Sequence, residues 1–62
     1  MTLEKLHEMG LINDSTMIYV RGADDRFICK GNWFQDRVLD YMTAEIDSFS
    51  WNTANSISVD LQ

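Results

Sequence analysis

The side chains that could carry chemistry in this 62-residue sequence are few and widely spaced. His7 is the only histidine and Cys29 the only cysteine. A Ser-His-Asp catalytic triad needs three side chains that converge in space, and none of the serines lies in a nucleophile-elbow motif. Buried thiols are usually inert, and Cys29 sits where a small apolar side chain packs well. We therefore predict that the protein is not an enzyme and that His7 borders the core.

Metal and phosphate chemistry have no stronger support. His7 and Cys29 lack a second soft ligand at the spacing of a zinc site. Asp24 and Asp25 lack the alternating oxygen ligands of a calcium loop and are typical of a turn. One glycine, Gly31, before a predicted helix does not make a phosphate loop. The sequence predicts no metal and no cofactor.

Carboxylates are the remaining candidates, and their spacing favours binding over catalysis. Asp36 and Asp40 lie four residues apart on the exposed face of the predicted second helix, without the apolar surroundings that acid–base catalysis by carboxylates needs. The net charge is −5 and the pI near 4.4, and residues 32–62 hold five acidic residues against one cation, Arg37. An acidic surface repels nucleic-acid phosphates and favours a protein partner with a basic surface.

Length and composition indicate one small α+β domain spanning residues 1–62. Hydrophobic residues make up 45% and charged residues 24% of the chain, which are ordinary globular values. A chain this short has little core, so a homodimer would add buried area. The N-terminal residues contain no continuous apolar segment, and one cysteine cannot form an internal disulfide. We expect a cytoplasmic protein with no membrane partner.

The elements that position these residues follow from caps and alternation. Thr2 caps a helix over residues 3–9, and Gly10 ends it. Strands over residues 17–21 and 26–30 form an antiparallel hairpin. A second helix begins at an Asn32 cap, to which Gln35 reaches back. It buries one stripe of residues, consisting of Phe34, Val38, Tyr41 and Met42.

Two more strands complete the predicted fold, over residues 45–51 and 56–61. The last one alternates cleanly, with Ile57, Val59 and Leu61 on one face. The order α-β-β-α-β-β predicts a four-stranded, mainly antiparallel sheet with helices packed on one face.

Side-chain alternation in the first hairpin predicts two unlike faces of the sheet. Ile18, Val20, Phe27 and Cys29 should face the helices. The opposite face should be an aromatic and basic surface formed by Met17, Tyr19, Arg21, Arg26, Ile28 and Lys30. Trp33 and Trp51 are candidates for partial exposure, because tryptophan, tyrosine and arginine are enriched at binding hot spots. The predicted partner-binding residues are therefore Tyr19, Arg21, Trp33, Asp36, Asp40, Glu45 and Trp51.

These features favour a non-catalytic protein-interaction module. In size and charge, though in no motif, the chain is similar to small acidic inhibitors from phages and mobile elements, the anti-CRISPR proteins among them. That similarity implies a protein that occludes a basic nucleic-acid-binding surface. Two alternatives stay open: single-stranded nucleic-acid binding by the aromatic and basic sheet face, which the net charge opposes, and a homodimeric subunit of a larger complex.

Overall fold

The computed structural model describes residues 1–24 and 26–62 and contains two short helices and one four-stranded sheet. The elements are α1 (Leu3–Glu8), β1 (Met17–Arg21), β2 (Phe27–Gly31), α2 (Asp36–Leu39), β3 (Ile46–Thr53) and β4 (Ser56–Leu61). The α+β class and the element order agree with the sequence prediction. Asp25 of the predicted turn lies outside the described residues. None of the described helices has the length and apolar character needed to span a membrane.

Helix α1 begins and ends as its sequence predicts. The Thr2 hydroxyl accepts a hydrogen bond from the Lys5 amide at 3.1 Å, which satisfies one of the free amides of the first turn. Gly10 has a φ of 78°, and the Leu11 amide then donates to the Leu6 carbonyl. This left-handed glycine reverses the chain and satisfies the last carbonyls of the helix. The helix buries Leu3 and Leu6 completely.

The sheet is mixed, so the prediction of a mainly antiparallel sheet is wrong. Its strand order is β2-β1-β4-β3, in which two antiparallel hairpins, β1–β2 and β3–β4, meet through a parallel pairing of β1 with β4. Ile18 lies opposite Ile57, and Val20 lies opposite Val59. The two strands richest in buried β-branched residues thereby occupy the centre of the sheet, where both of their edges are paired.

One apolar cluster joins the sheet to both helices. Its four sheet residues from β1 and β4 are fully buried, as are Leu3 and Leu6 of α1 and Val38 of α2. Because residues directly opposite each other share a face, the helices cover this side of the sheet and leave the other side open. We call these two sides the helix face and the open face.

Helix α2 is much shorter than the sequence predicts and starts later. Its N-cap is Gln35 and not Asn32. Gln35 does reach back, since its side-chain oxygen accepts from the Asn32 amide at 2.8 Å, but the Asn32 side chain donates to the Thr16 carbonyl instead. The chain therefore makes a turn over residues 32–35 before the helix. This leaves Phe34 62% exposed, so its predicted burial is wrong.

The pairing of strand β2 shows that the predicted burial of Phe27 is wrong. A bulge between Val20 and Arg21 shifts the β1–β2 register and places Phe27 opposite Arg21. A bulge breaks the strict alternation on which the face prediction rested. Phe27 is consequently 56% exposed and not packed beneath the helices, whereas Cys29 lies opposite buried Val20 as predicted.

Candidate interaction surfaces

The longest exposed feature of the molecule is the outer edge of β3. Seven of its eight residues are exposed, and only Ile46 at its start is buried. Phe49 lies opposite Val59 and Trp51 opposite Ile57, so both aromatic side chains lie on the helix face. They remain 37% and 43% exposed, because the described helices cover the central strands and stop short of this edge.

The backbone of β3 is also unpaired along most of its outer side. The Met1 carbonyl accepts from the Ile46 amide at 2.7 Å, and Thr2 forms an isolated bridge with Glu45. Among the described residues, no other group outside the sheet bonds to the β3 backbone. From Asp47 onward the strand presents a row of free amides and carbonyls, which is a template for another strand. Trp51, a predicted partner-binding residue, lies in this row.

The open face carries Tyr19 and Arg21, as predicted, but its charge is largely balanced. The Arg21 Nε lies 2.8 Å from an Asp60 carboxylate oxygen, and its terminal nitrogen donates to the other oxygen at 3.3 Å. This two-pronged ion pair joins β1 to β4 across the parallel pairing. Lys30 lies over the Tyr19 ring at 5.9 Å from its centroid. Two cations of the predicted basic surface, Arg21 and Lys30, therefore already form contacts within the protein.

The half of the open face formed by β3 and β4 is a polar network of small side chains. The Ser48 hydroxyl donates to Asp60, and the Asn52 amide donates to the Ser58 hydroxyl at 2.8 Å. Thr53 and Ser56 share a hydroxyl contact at 3.2 Å. These bonds satisfy the polar side chains within the sheet, so this half offers a rigid hydrophilic surface without aromatic groups.

The predicted acidic residues differ in their partners. Asp36 and Asp40 are exposed at the two ends of α2, and neither forms an ion pair within residues 1–24 and 26–62. Glu45, in contrast, accepts from the amino group of Met1 at 2.9 Å. The structure thus leaves the α2 carboxylates open to a partner and engages Glu45 internally.

Trp33 is half-buried and stacks on His7, with ring centroids 4.3 Å apart and an angle of 10° between the planes. The His7 Nε2 lies 3.1 Å from an Asp14 carboxylate oxygen. An open groove of about 660 Å³ is lined by His7 and Asp14 and bordered by exposed Phe34. Ser15 also borders it, but its hydroxyl donates to Asn13 and not to the imidazole. A nucleophile must contact its base, so this arrangement lacks the contact of a hydrolytic triad.

Cys29 lies between β2 and α2, and its sulfur contacts the Arg37 carbonyl at 3.3 Å. Burial raises the pKa of the Cys29 thiol; the nearby Arg37 guanidinium opposes this rise and the Asp40 carboxylate adds to it. A raised pKa keeps the thiol protonated and unreactive near neutral pH. Within the described part of the chain, no group of three histidine, cysteine or acidic side chains is arranged to hold a metal ion.

Sequence reasoning misses three exposed aromatic residues. It predicts that Phe27 and Phe34 are buried, and it does not include Phe49 among the binding residues. Phe49 and Trp51 alternate with the polar residues Ser48, Ser50 and Asn52, so the period-two pattern of β3 indicates that the two aromatic residues share a face. The edge position of the strand, which makes that face accessible, comes only from the pairing of β1 with β4.

The comparisons with known proteins assign no family to the chain. No protein-family model matches its sequence, and neither the search of curated proteins nor the search of solved structures finds a match.

Proposed function

We propose that this protein is a non-catalytic interaction module that binds a basic surface of another protein through the carboxylates of α2. A surface that binds nucleic acid is the basic surface of most direct relevance, since it displays clustered lysine and arginine side chains. Occupying it would make the module an inhibitor of nucleic-acid binding, of the kind that small acidic proteins of phages and mobile elements provide.

The observation that carries this proposal is that most arginine side chains have partners within the chain, whereas the exposed carboxylates of α2 have no ionic partner among the described residues. Arg21 and Arg26 each form an ion pair with an aspartate, and the Arg37 Nε donates to the Lys30 carbonyl at 2.6 Å. Three of the five cations are thus engaged internally. Asp36 and Asp40 form no such pair among the described residues and are exposed. Their negative potential extends over roughly a Debye length, about 8 Å at physiological salt, and would steer a cationic partner toward α2.

The nucleic-acid alternative has weaker support. Its stacking residue, Tyr19, is half-buried and already contacts Lys30, while Arg21 is held by Asp60. Binding phosphates there would require these internal contacts to be exchanged for contacts with a chain that the net charge of −5 repels. An anisotropy titration with a fluorescent single-stranded oligonucleotide at low salt tests it, and binding that weakens steeply with salt would favour this alternative over ours.

The proposal is tested by capture with matched charge variants. Tagged wild-type protein, the double variant Asp36→Asn/Asp40→Asn and the control Asp14→Asn/Asp24→Asn are used as bait in cell extracts, and captured proteins are identified by mass spectrometry. The two variants change the net charge equally. A specific partner should be retained by the wild type and the control, lost about tenfold with the α2 variant, and displaced by added nucleic acid.

Two results would contradict this assignment. Equal loss of capture with both variants would mean that overall charge, and not the α2 surface, controls binding. If added nucleic acid does not displace the captured partner, the module contacts that partner away from its nucleic-acid site. This result would contradict the inhibitory role. Circular dichroism of each variant checks that all three baits are folded.

A further inference from the structure

We infer that two copies of this chain pair through the outer edges of their β3 strands, antiparallel and related by a twofold axis at Ser50, to form a continuous eight-stranded sheet. The inference concerns a different surface from the α2 carboxylates and does not depend on the proposed function. It begins with the unpaired backbone of residues 47–53 and the exposed aromatic pair beside it, described above.

The side chains of β3 are self-complementary about Ser50. In an antiparallel pairing centred at Ser50, residues equally far from Ser50 on opposite sides face each other. Phe49 of each copy therefore faces Trp51 of the other. Ser50 faces itself. These facing residues lie inside the regular stretch of residues 48–51, and the register shifts on either side of that stretch end the regular pairing. Aromatic side chains meet twice on the helix face, and hydrogen-bonding side chains meet on the open face. Self-complementarity is what a twofold interface requires of a single surface.

Neighbouring registers fail this test, which is why the axis is placed at Ser50. A twofold axis perpendicular to the sheet keeps the helix faces of both copies on the same side, so only shifts that preserve strand parity are allowed. Centring on Phe49 would set Trp51 against Asp47, and centring on Trp51 would set Phe49 against Thr53. The Ser50 register alone pairs every exposed aromatic of the strand with another aromatic.

Charge and size favour a second copy over a foreign strand. Asp47 is the only charged residue of β3, and it lies at the register shift before the regular stretch of residues 48–51, so the acidity of the chain is kept out of the paired residues. The described residues form a core of only nine buried hydrophobic side chains, and pairing would bury the aromatic pair that this core leaves uncovered. The α2 carboxylates are on another element and stay available in the dimer.

The test is a charge swap at the axis. Ser50 is exposed and would face itself, so Ser50→Lys places two like charges opposite each other in the dimer and only one on the monomer surface. Sedimentation from micromolar to millimolar concentration should give twice the 7.2 kDa monomer mass for the wild type. Ser50→Lys and Ser50→Glu should each dimerise at least about tenfold more weakly, and an equimolar mixture of the two should recover dimerisation.

The matched control is Ala54→Lys, which adds the same charge in the exposed β3–β4 turn outside the paired segment. It should dimerise like the wild type. A wild type that stays monomeric throughout the series, or a dimer that Ser50→Lys leaves unchanged, overturns the inference. Failure of the charged variants to recover in the mixture overturns the twofold register. Because α2 is untouched, these outcomes are read independently of the capture experiment.

Discussion

The two outer edges of the sheet differ in how far the rest of the chain covers them. At the β2 edge, α2 packs directly against the strand, and the Arg37 guanidinium donates to the Lys30 carbonyl at 2.6 Å. At the β3 edge, the covering contact ends at Ile46, and the aromatic residues Phe49 and Trp51 remain exposed. The first edge is closed over residues 29–31 by the protein's own helix, and the other is open for most of eight residues.

Exposed strand edges are normally blocked, because they template association with other chains. The closed β2 edge has such a block in Arg37, which occupies a carbonyl that another strand would use. The open edge has only its two bulges and Asp47. Bulges bracket residues 48–51 and leave a short regular stretch between them, which limits how much of a foreign strand can pair. The two edges therefore differ in the backbone they leave available: Arg37 blocks a carbonyl of β2, whereas β3 keeps a regular stretch of four residues, 48–51.

The largest effect is expected where the closed edge is tightest, at Gly31. A Cβ built on Gly31 would overlap the Gln35 side-chain oxygen and lie 3.2 Å from the Val38 side chain. That oxygen is held by the Asn32 amide, so Gln35 cannot move without losing a hydrogen bond. We expect Gly31→Ala to lower the free energy of unfolding by about 1–3 kcal/mol, measured by urea denaturation at low protein concentration.

Gly22 provides the matched control for this substitution. It lies just after β1, and its nearest contact to a built Cβ is 3.4 Å, an ordinary van der Waals separation. Gly22→Ala should change the free energy of unfolding by less than about 0.5 kcal/mol. A similar loss in both variants would mean that the helix does not close the β2 edge by tight packing.

A smaller effect is expected from removing the block itself. Arg37→Ala deletes the donor to the Lys30 carbonyl and should cost about 1 kcal/mol, since one charge-assisted hydrogen bond is exchanged for water. Arg26→Ala removes an equal charge from an exposed pair with Asp24 and should cost no more than about 0.5 kcal/mol. If the closed edge depends on Arg37, only the first variant should also self-associate through β2, detected as oligomers that Ser50→Lys does not disrupt.

The smallest effect is a pH dependence at Cys29 on the closed edge. Burial raises the pKa of this thiol, so the folded protein holds the proton more tightly than the unfolded chain. The resulting stability is complete below the unfolded pKa of roughly 8.5 and is lost as pH rises above it. Urea midpoints from neutral pH to pH 10 should therefore fall more steeply for the wild type than for Cys29→Ala.

A thiol on the open edge sharpens the same comparison. In a Cys29→Ala background, Ser50→Cys should react with a thiol reagent at nearly the rate of a free cysteine, whereas Cys29 in the wild type should react at least about tenfold more slowly. Equal rates would show that the β2 edge opens as readily as the β3 edge, and the distinction between the edges would be lost.

Local signals predicted most of the secondary structure from the sequence. The Thr2 cap, the glycine at position 10 and the alternation of β4 fixed α1 and β4 to within one residue. The sequence predicts too great a length for helix α2, because the Gln35 oxygen that suggests a capping box instead closes a turn before the helix. Phe27 was misplaced because a bulge, which no local residue pattern announces, interrupts the alternation.

The pairing of strands was beyond local reasoning. Alternation tells which residues share a face but not which strand lies alongside, and the β1–β4 pairing joins residues about forty positions apart. The exposure of Asp36, Asp40 and Trp51 could be predicted from their types and periods. That Glu45 and Arg21 already have partners could not, since each is bonded to a residue 44 or 39 positions away.

The parallel pairing at the centre of the sheet has a kinetic consequence. Each hairpin closes over a short loop, but neither is stable alone, because a two-stranded hairpin is marginal in water. Their junction requires Ile18 to meet Ile57, a closure that spans most of the chain. We expect this docking to limit the folding rate, so that the protein folds more slowly than its small size suggests. Substitutions across the junction should then slow refolding, and those at the open edge should leave it unchanged.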